Sequence, residues 1–465
     1  MKTNHNEQWT LDTQKVRKLI EIHPESDSEI EQICAKALEL KGLSQEDAAK
    51  LLNVSNPQII QKILETAGKV KEIIYGRRMV IFAPLYTGNI CSNDCTYCGF
   101  RKSNHSINRS ILNTEQIHSE TINLLKEGHK RLLMLCGESK ANDLDYFLNA
   151  IKTVYSAEWN GNKIKRINVE IAPLTTDEFK KLKTAGIGTY ACFQETYDPD
   201  LYKEYHTTGP KSDYNYRLNV MHRAMAGGID DVGIGVLFGL SDYRFEVLSM
   251  LEHAASLEAE FGCGPHTVSV PRIEPADGVS LSTNVPYKVS DDEFRKIIAV
   301  LRLSLPYTGI ILSTRENETL RNELFQYGIS QISAGSRTNP GAYSDKENGK
   351  GSQFSLGDHR SLSEVIDKLI ESKYIPSFCT GCYRKGRVGN DFMDLAKPGL
   401  IHQFCMPNGL FTFQEYLEEF ADSSLKQKGE LLINNIVSEV HNEKLKSSIS
   451  TNLDAIKSGD RDLYF

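Results

Sequence analysis

Two groups of cysteines carry the chemistry that can be read directly from this chain. "CSNDCTYCGF" places Cys91, Cys95 and Cys98 in a C-x₃-C-x₂-C run. "SFCTGCYRKG" places Cys379 and Cys382 in a C-x₂-C pair, and a third thiol follows at Cys405. Three thiolates on one short loop can hold three irons of a cubane and leave the fourth without a protein ligand. Zinc is the competing reading, but a structural zinc wants four closed ligands, and no fourth cysteine stands near the first set. The late set leaves three readings open. It is a zinc site completed by His402, a redox pair, or a second cluster with one open iron. A thioredoxin-like pair opens a helix in a βαβ unit, and none is predicted there. The cluster reading is the better one. The other thiols, Cys34, Cys136, Cys192 and Cys263, stand alone and read as inert buried side chains.

Those loops need elements to hold them. Residues 1–75 read as helices only: "SDSEIEQICAKALEL" and "SQEDAAKLLNV" each open on a capping residue and repeat apolar positions at helical spacing. From about residue 78 the texture changes. "MVIFAPLY", "RLLMLCGE", "RINVEIA", "GTYACFQE", "DVGIGVLFG", "HTVSVPRI", "GIILSTRE" and "ISQISAG" are short, apolar and rich in β-branched or aromatic residues, with helical stretches between them. Such alternation predicts a parallel sheet, and eight strands over residues 76–340 suit a closed (β/α)₈ barrel. An open doubly wound sheet is the alternative, weakened because no G-x-G-x-x-G follows the first strand. Beyond residue 340, "NPGAYSDKENGKGSQFSLGDHR" reads as a loop or linker. Residues 341–465 are expected to form a mostly helical domain around the late cysteines, in which Ser361 and Glu364 fit a capping box.

The first cysteine loop follows the first strand and therefore lies at the C-terminal mouth of the barrel, where such folds place their chemistry. His266 in "GPHTVSVPR" opens the sixth strand and so falls at the opposite mouth, roughly 20 Å away. Its plain reading is a hydrogen-bonded histidine. Arg315 in "LSTRE" ends a strand at the first mouth; its planar guanidinium suits a carboxylate, against the alternative of a structural ion pair.

Composition limits what else the chain can be. Its 465 residues are 40% hydrophobic and 25% charged, as in an ordinary globular protein. A net charge of −7 with both signs interspersed argues against a nucleic-acid binder. No apolar run approaches the ~18 residues of a spanning helix, and "MKTNHNEQWTLDTQ" has no apolar core of a secretory signal. A cytoplasmic protein is expected, whose ten cysteines are thiols or metal ligands rather than disulfides.

With Tyr97 before its last cysteine and Gly99-Phe100 after it, the first loop resembles the signature of the radical S-adenosylmethionine (SAM) superfamily. In that superfamily the open iron chelates the amino and carboxylate groups of SAM. The resemblance implies that Gly137 and Glu138 contact the SAM amino group, although Cys136 replaces the first glycine of the usual run. It makes Glu195 and Arg217 further SAM partners, and sets "VGIGVLFG" beside adenine. The late cysteines, with "CTGCYRKGR" and "FCMPNGLFTFQEYL", closely resemble the tail of HydG-type tyrosine lyases, which mature the diiron hydrogenase. The likeness runs over about residues 75 to 430. It implies that a 5′-deoxyadenosyl radical abstracts hydrogen from tyrosine, whose Cα–Cβ bond breaks to p-cresol and dehydroglycine. Dehydroglycine then becomes CO and cyanide at a second 4Fe-4S cluster, beside which the residue matching His266 holds an extra iron. Arg315 and Ser313 would hold the tyrosine carboxylate. A ferredoxin or flavodoxin would donate electrons, and other hydrogenase maturation proteins would be partners, with no nucleic acid or membrane. A thiazole-type tyrosine lyase and a non-catalytic iron-sulfur carrier are the rival readings.

Overall fold

Each short apolar run forms a strand, and the strands pair in chain order. In the computed structural model, which describes residues 8–345, 351–397 and 401–465, they are β1 (Arg78–Gly88), β2 (Arg131–Cys136), β3 (Arg166–Glu170), β4 (Thr189–Ala191), β5 (Asp231–Gly235), β6 (Thr267–Ser269), β7 (Gly309–Leu312) and β8 (Gln331–Ser333). All pair in parallel, and β8 returns to β1 through Val80↔Gln331, Ile81↔Ile332 and Phe82↔Ser333. Closure leaves the eight-stranded barrel itself without an open edge. The helices between strands start where the sequence supplies caps: Asn113 with Gln116, Thr175 with Glu178 and Ser290 with Glu293 each form a reciprocal capping box.

Alternation along the strands decides what faces the barrel axis. On β1, Phe82, Pro84 and Tyr86 line a cavity at the C-terminal mouth, whereas Arg78 and Val80 line a second one at the N-terminal mouth. β2 does the same with Leu133 and Leu135 above and Arg131 below. One face of one strand thus reaches from site to site, eight residues or roughly 26 Å at strand spacing.

The N-terminal helices Thr13–Leu19, Asp27–Ala37, Gln45–Leu52 and Pro57–Tyr75 pack on the outside of the barrel, the last against the helix Asp291–Ser304. Among the described residues no helix is long and apolar enough to cross a membrane.

The tail adds two features to its expected form. "IPS" forms a ninth strand, β9 (Ile375–Ser377), parallel to Arg78–Val80. β1 is long and β2 joins it only from Ala83 onward, so the start of β1 would have left backbone groups unpaired; β9 satisfies them. The polar stretch after residue 340 is a loop among its described residues, as expected, but it is no free linker. Its part from Gly351 onward folds over the first mouth, where Gln353 and Phe354 line the cavity; residues 346–350 lie outside the described residues. The helix Leu362–Glu371 does open on the expected capping box of Ser361 and Glu364.

Candidate active site and second cysteine site

The loop that leaves β1 is held by its neighbours rather than by secondary structure of its own. Ser92 N–H donates to the Glu138 carbonyl at 2.7 Å, Thr96 N–H to Tyr205 at 3.0 Å and Gly99 N–H to Gln353 at 3.2 Å. Asp94 grips Arg101 through two bonds of 2.8 and 3.1 Å. Glycine is demanded at Gly137: a Cβ there would stand 2.4 Å from the Ile90 carbonyl oxygen and 3.3 Å from the Cys91 Cβ. Tyr97 turns its ring inward and meets His206 Nε2 through its hydroxyl at 2.8 Å. Cys95 is buried, and burial first, then the neighbouring Cys98 and Cys91, push its thiol up to about 12.

Beside this loop lies a cavity of about 130 Å³. Cys98 and Tyr97 close one side of it; Arg315, Glu195, Glu170 and Glu274 supply its charged groups, Ser313 is among its polar ones, and Phe82, Leu133, Leu135 and Phe193 make much of its apolar wall. Glu195 sits at φ 71°, a conformation unusual for a residue with a Cβ. Its carboxylate accepts from Lys211 Nζ at 2.6 Å, with Arg217 at 3.7 Å. Burial opposes its ionisation, but Lys211 and Arg217 outweigh burial and hold it below the ordinary range. Arg217 is fixed by donating to the Phe193 carbonyl at 2.6 Å. Arg315 behaves differently. Its guanidinium lies 3.3 Å over the Phe354 ring, and among the described residues it makes no side-chain hydrogen bond or ion pair. A cation left unpaired in a cavity is prepared for an anion.

The second cavity, about 50 Å³, is lined by Cys379, Cys382, Cys405 and His266, so the structure brings the late thiols to the histidine of β6. His266 Nε2 meets the Tyr383 hydroxyl at 2.9 Å, and its Nδ1 stands 3.5 Å from Asp231. Burial pushes the imidazole down, toward its neutral form. Cys382 is pushed up by a hydrogen bond with Cys405 and by burial. Three arginines, Arg78, Arg131 and Arg387, line the same space, and among the described residues the buried Nε of each lacks a hydrogen-bond partner. Unpaired buried donors are costly, and three converging on thiols match a negatively charged group.

Neither cysteine set is gathered round one point: among the described residues no three His, Cys, Asp or Glu side chains are placed to hold a single metal ion. An iron-sulfur cubane asks for something else, since each thiolate takes its own iron. The side chain of His402, the proposed completing ligand for zinc, lies outside the described residues.

Comparison with known proteins places the chain. The radical SAM superfamily model matches residues 85–253, and the model of the Biotin and Thiamin Synthesis associated domain matches residues 269–375. The 2-iminoacetate synthase of Salmonella typhimurium is 32% identical over 336 residues, 72% of this chain and 86% of that one. The crystal structure of HydG, a maturase of the [FeFe]-hydrogenase, superposes with a TM-score of 0.94 at 44% identity over 98% of this chain and 99% of the other. HydG from Carboxydothermus hydrogenoformans gives 0.83 at 42% identity, over 95% and 97%. The chain belongs to the radical SAM superfamily, in its HydG-type branch. This HydG-type chain is therefore an enzyme that uses SAM and a 4Fe-4S cluster.

Of the residues singled out in the sequence, Tyr97, Cys98, Glu195, Ser313 and Arg315 share the first cavity. Cys91 and Cys95 stand on its loop. Gly137 and Glu138 press on that loop from the end of β2, Glu138 by accepting from Asn93 at 2.8 Å. Cys379, Cys382, Cys405 and His266 share the second. Sequence reasoning missed Glu170, Lys211, Glu274, Gln353, Phe354 and the three arginines. Glu170 ends a strand at the catalytic mouth, the one signal that could have found it; Gln353 sits in a polar stretch that carries none. Gln353 accepts from the Tyr86 hydroxyl at 2.8 Å and points its amide at the Cys98 sulfur, 3.7 Å away.

Proposed function

We propose that this HydG-type chain cleaves tyrosine at the first mouth and converts the resulting dehydroglycine to CO and cyanide at the second. The reading is supported by the relatives: one is named 2-iminoacetate synthase and two are maturases of the [FeFe]-hydrogenase. Cys91, Cys95 and Cys98 would hold a 4Fe-4S cluster, and Gly137, Glu138, Glu195 and Arg217 would orient SAM on it. When bound, this pair supplies the radical that starts the reaction. The chain's own residues do the rest. Arg315 and Ser313 hold the tyrosine carboxylate, the apolar wall accepts the ring, and the Gln353–Phe354 segment covers the mouth and keeps water out.

At the far mouth Cys379, Cys382 and Cys405 would hold a second cluster, and His266, kept neutral by burial, would ligate an additional iron. A neutral imidazole is the form that binds metal. The three arginines with unpaired donors are the observation that favours a charged cluster over purely structural thiols. An electron donor such as ferredoxin or flavodoxin and other hydrogenase maturation proteins complete the proposed partners.

The unpaired guanidinium of Arg315 carries the substrate assignment. Arg315→Ala should abolish p-cresol formation while both cysteine sets still take up iron. Normal turnover in that variant would sink the assignment.

A further inference from the structure

The first cavity holds two more carboxyls that the roles above leave unused and that make no side-chain hydrogen bond or ion pair among the described residues, Glu170 and Glu274. Glu170 ends β3, and the register sets it level with Leu135 and, one strand further, Tyr86. All three line the cavity. Among the described residues its carboxyl makes no side-chain hydrogen bond or ion pair. The charges acting on it are Glu195, Lys211, Arg217 and Arg315. Glu170 therefore shares one cavity with Glu195, assigned to SAM, and with Ser313 and Arg315, assigned to the substrate carboxylate.

An α-amino acid bound by its carboxylate presents its ammonium a bond or two away. A cavity that offers only a cation recognises half of a zwitterion; an unpaired carboxyl recognises the other half. There is also a chemical demand. Formation of the C=N bond of dehydroglycine draws on the nitrogen lone pair, and an ammonium has none. The proton must leave first. Resting on the reading of tyrosine as substrate, we propose that Glu170 binds the substrate ammonium and accepts its proton, delivering a neutral amine to the radical step. One N–H bond breaks and leaves its pair on nitrogen, one carboxyl O–H bond forms, and nothing is oxidised or reduced. The surroundings suit a proton acceptor. Burial first, and Glu195 next, push Glu170 up to about 7, close to the operating pH that an efficient general base requires. Glu274, on the Pro-rich turn after β6, is also pushed up to about 7, by burial and Glu316, but the charges acting on it are Glu316, Arg315, Arg272 and Lys288, none of them a group assigned to SAM.

The test is p-cresol formation by the reconstituted enzyme from about pH 6 to about pH 9, for wild type, Glu170→Gln and Glu170→Asp. In wild type the rate should climb to a plateau near neutrality. In Glu170→Gln it should fall about a hundredfold at pH 7 and then rise about tenfold per pH unit, as the free ammonium is left to lose its proton to solvent. Glu170→Asp, which keeps the acceptor, should lie between. Binding of tyrosine should weaken at least about tenfold in Glu170→Gln, the scale of one charge-assisted contact. Binding of 3-(4-hydroxyphenyl)propanoate, which lacks the amine, should stay within about threefold. A wild-type pH profile in Glu170→Gln, or equal loss of both ligands, overturns the proposal while leaving tyrosine as substrate. A wild-type protein that neither binds tyrosine nor forms p-cresol overturns both readings at once.

Discussion

The two mouths of the barrel hold the same number of cysteines in opposite surroundings. At the first, three thiols sit on one continuous loop. Around them the charged groups are mixed: Glu195 is matched by Lys211 and Arg217, and Arg315 stays free. At the second, Cys379 and Cys382 follow β9 and Cys405 comes from the helix His402–Glu419, and arginines line the space around them. A mixed lining suits a zwitterionic ligand and an exchangeable substrate. A uniformly cationic lining suits a resident anion that is assembled and kept. The difference fits the proposed division, with turnover at one end and assembly at the other.

The strongest way to break that division is to remove one thiol from each end. Cys98→Ala should reduce p-cresol formation to background, because the cofactor supplies the hard step and its anchor is gone. Cys382→Ala should leave p-cresol formation largely intact and abolish CO release. Both products, followed with iron content per chain, read the outcome; loss of p-cresol in Cys382→Ala would mean that the two ends are not separable.

A gentler cut falls on His266. His266→Ala should preserve p-cresol and lower CO at least about tenfold, the scale on which single metal-site partners act. Burial holds this imidazole low, so it stays neutral and able to bind metal through the neutral range. Its contribution should fade only as acid begins to protonate it, below the ordinary histidine range. Equal loss of both products would make His266 a packing residue, held by Tyr383 and Asp231.

The two ends were also unequally legible in the sequence. The first cysteine set could be read because its spacing is local, and the barrel because strand and helix alternate with different periods. The strand positions of Glu195, Ser313 and Arg315 followed from that register. The arginines of the second site were invisible for a physical reason. Arg78 and Arg131 open strands, where a charged residue ordinarily reads as solvent-facing, and only closure of the barrel turns them inward onto thiols from the tail. Likewise "GSQF" has a linker's composition, yet its backbone packs on Gly99, where a Cβ would meet the Gln353 carbonyl oxygen at 2.5 Å. Close approach of two backbones leaves a glycine in the sequence but no sign of its partner. The ninth strand was missed because three residues with a central proline, Ile375–Ser377, carry almost no periodicity.

The smallest expected effect sharpens the comparison at the level of the backbone. Each site has a glycine beside its cysteines. At Gly137 an added Cβ meets main chain: the Ile90 carbonyl oxygen at 2.4 Å and its carbon at 2.9 Å. Relief requires moving the segment that carries Cys91, which is tied on to Glu138 through Ser92 and Asn93. At Gly381 the nearest atom is a side-chain nitrogen, Asn408 Nδ2 at 2.9 Å, followed by Tyr464 Cβ at 3.5 Å. A side-chain end can rotate aside, and alanine regains about 0.5–1 kcal/mol over glycine in the helix Gly381–Arg384. Gly137→Ala should therefore cost about 1–3 kcal/mol of stability through forced backbone shifts, and should loosen iron at the first site alone. Gly381→Ala should cost less than about 1 kcal/mol and leave both sites loaded. Denaturant melts with iron counted before and after chelation separate the two. If Gly381→Ala proves the more damaging, the tail around Asn408 is the rigid partner, and it is the second site, not the first, whose cysteine segment is locked in place by close backbone packing.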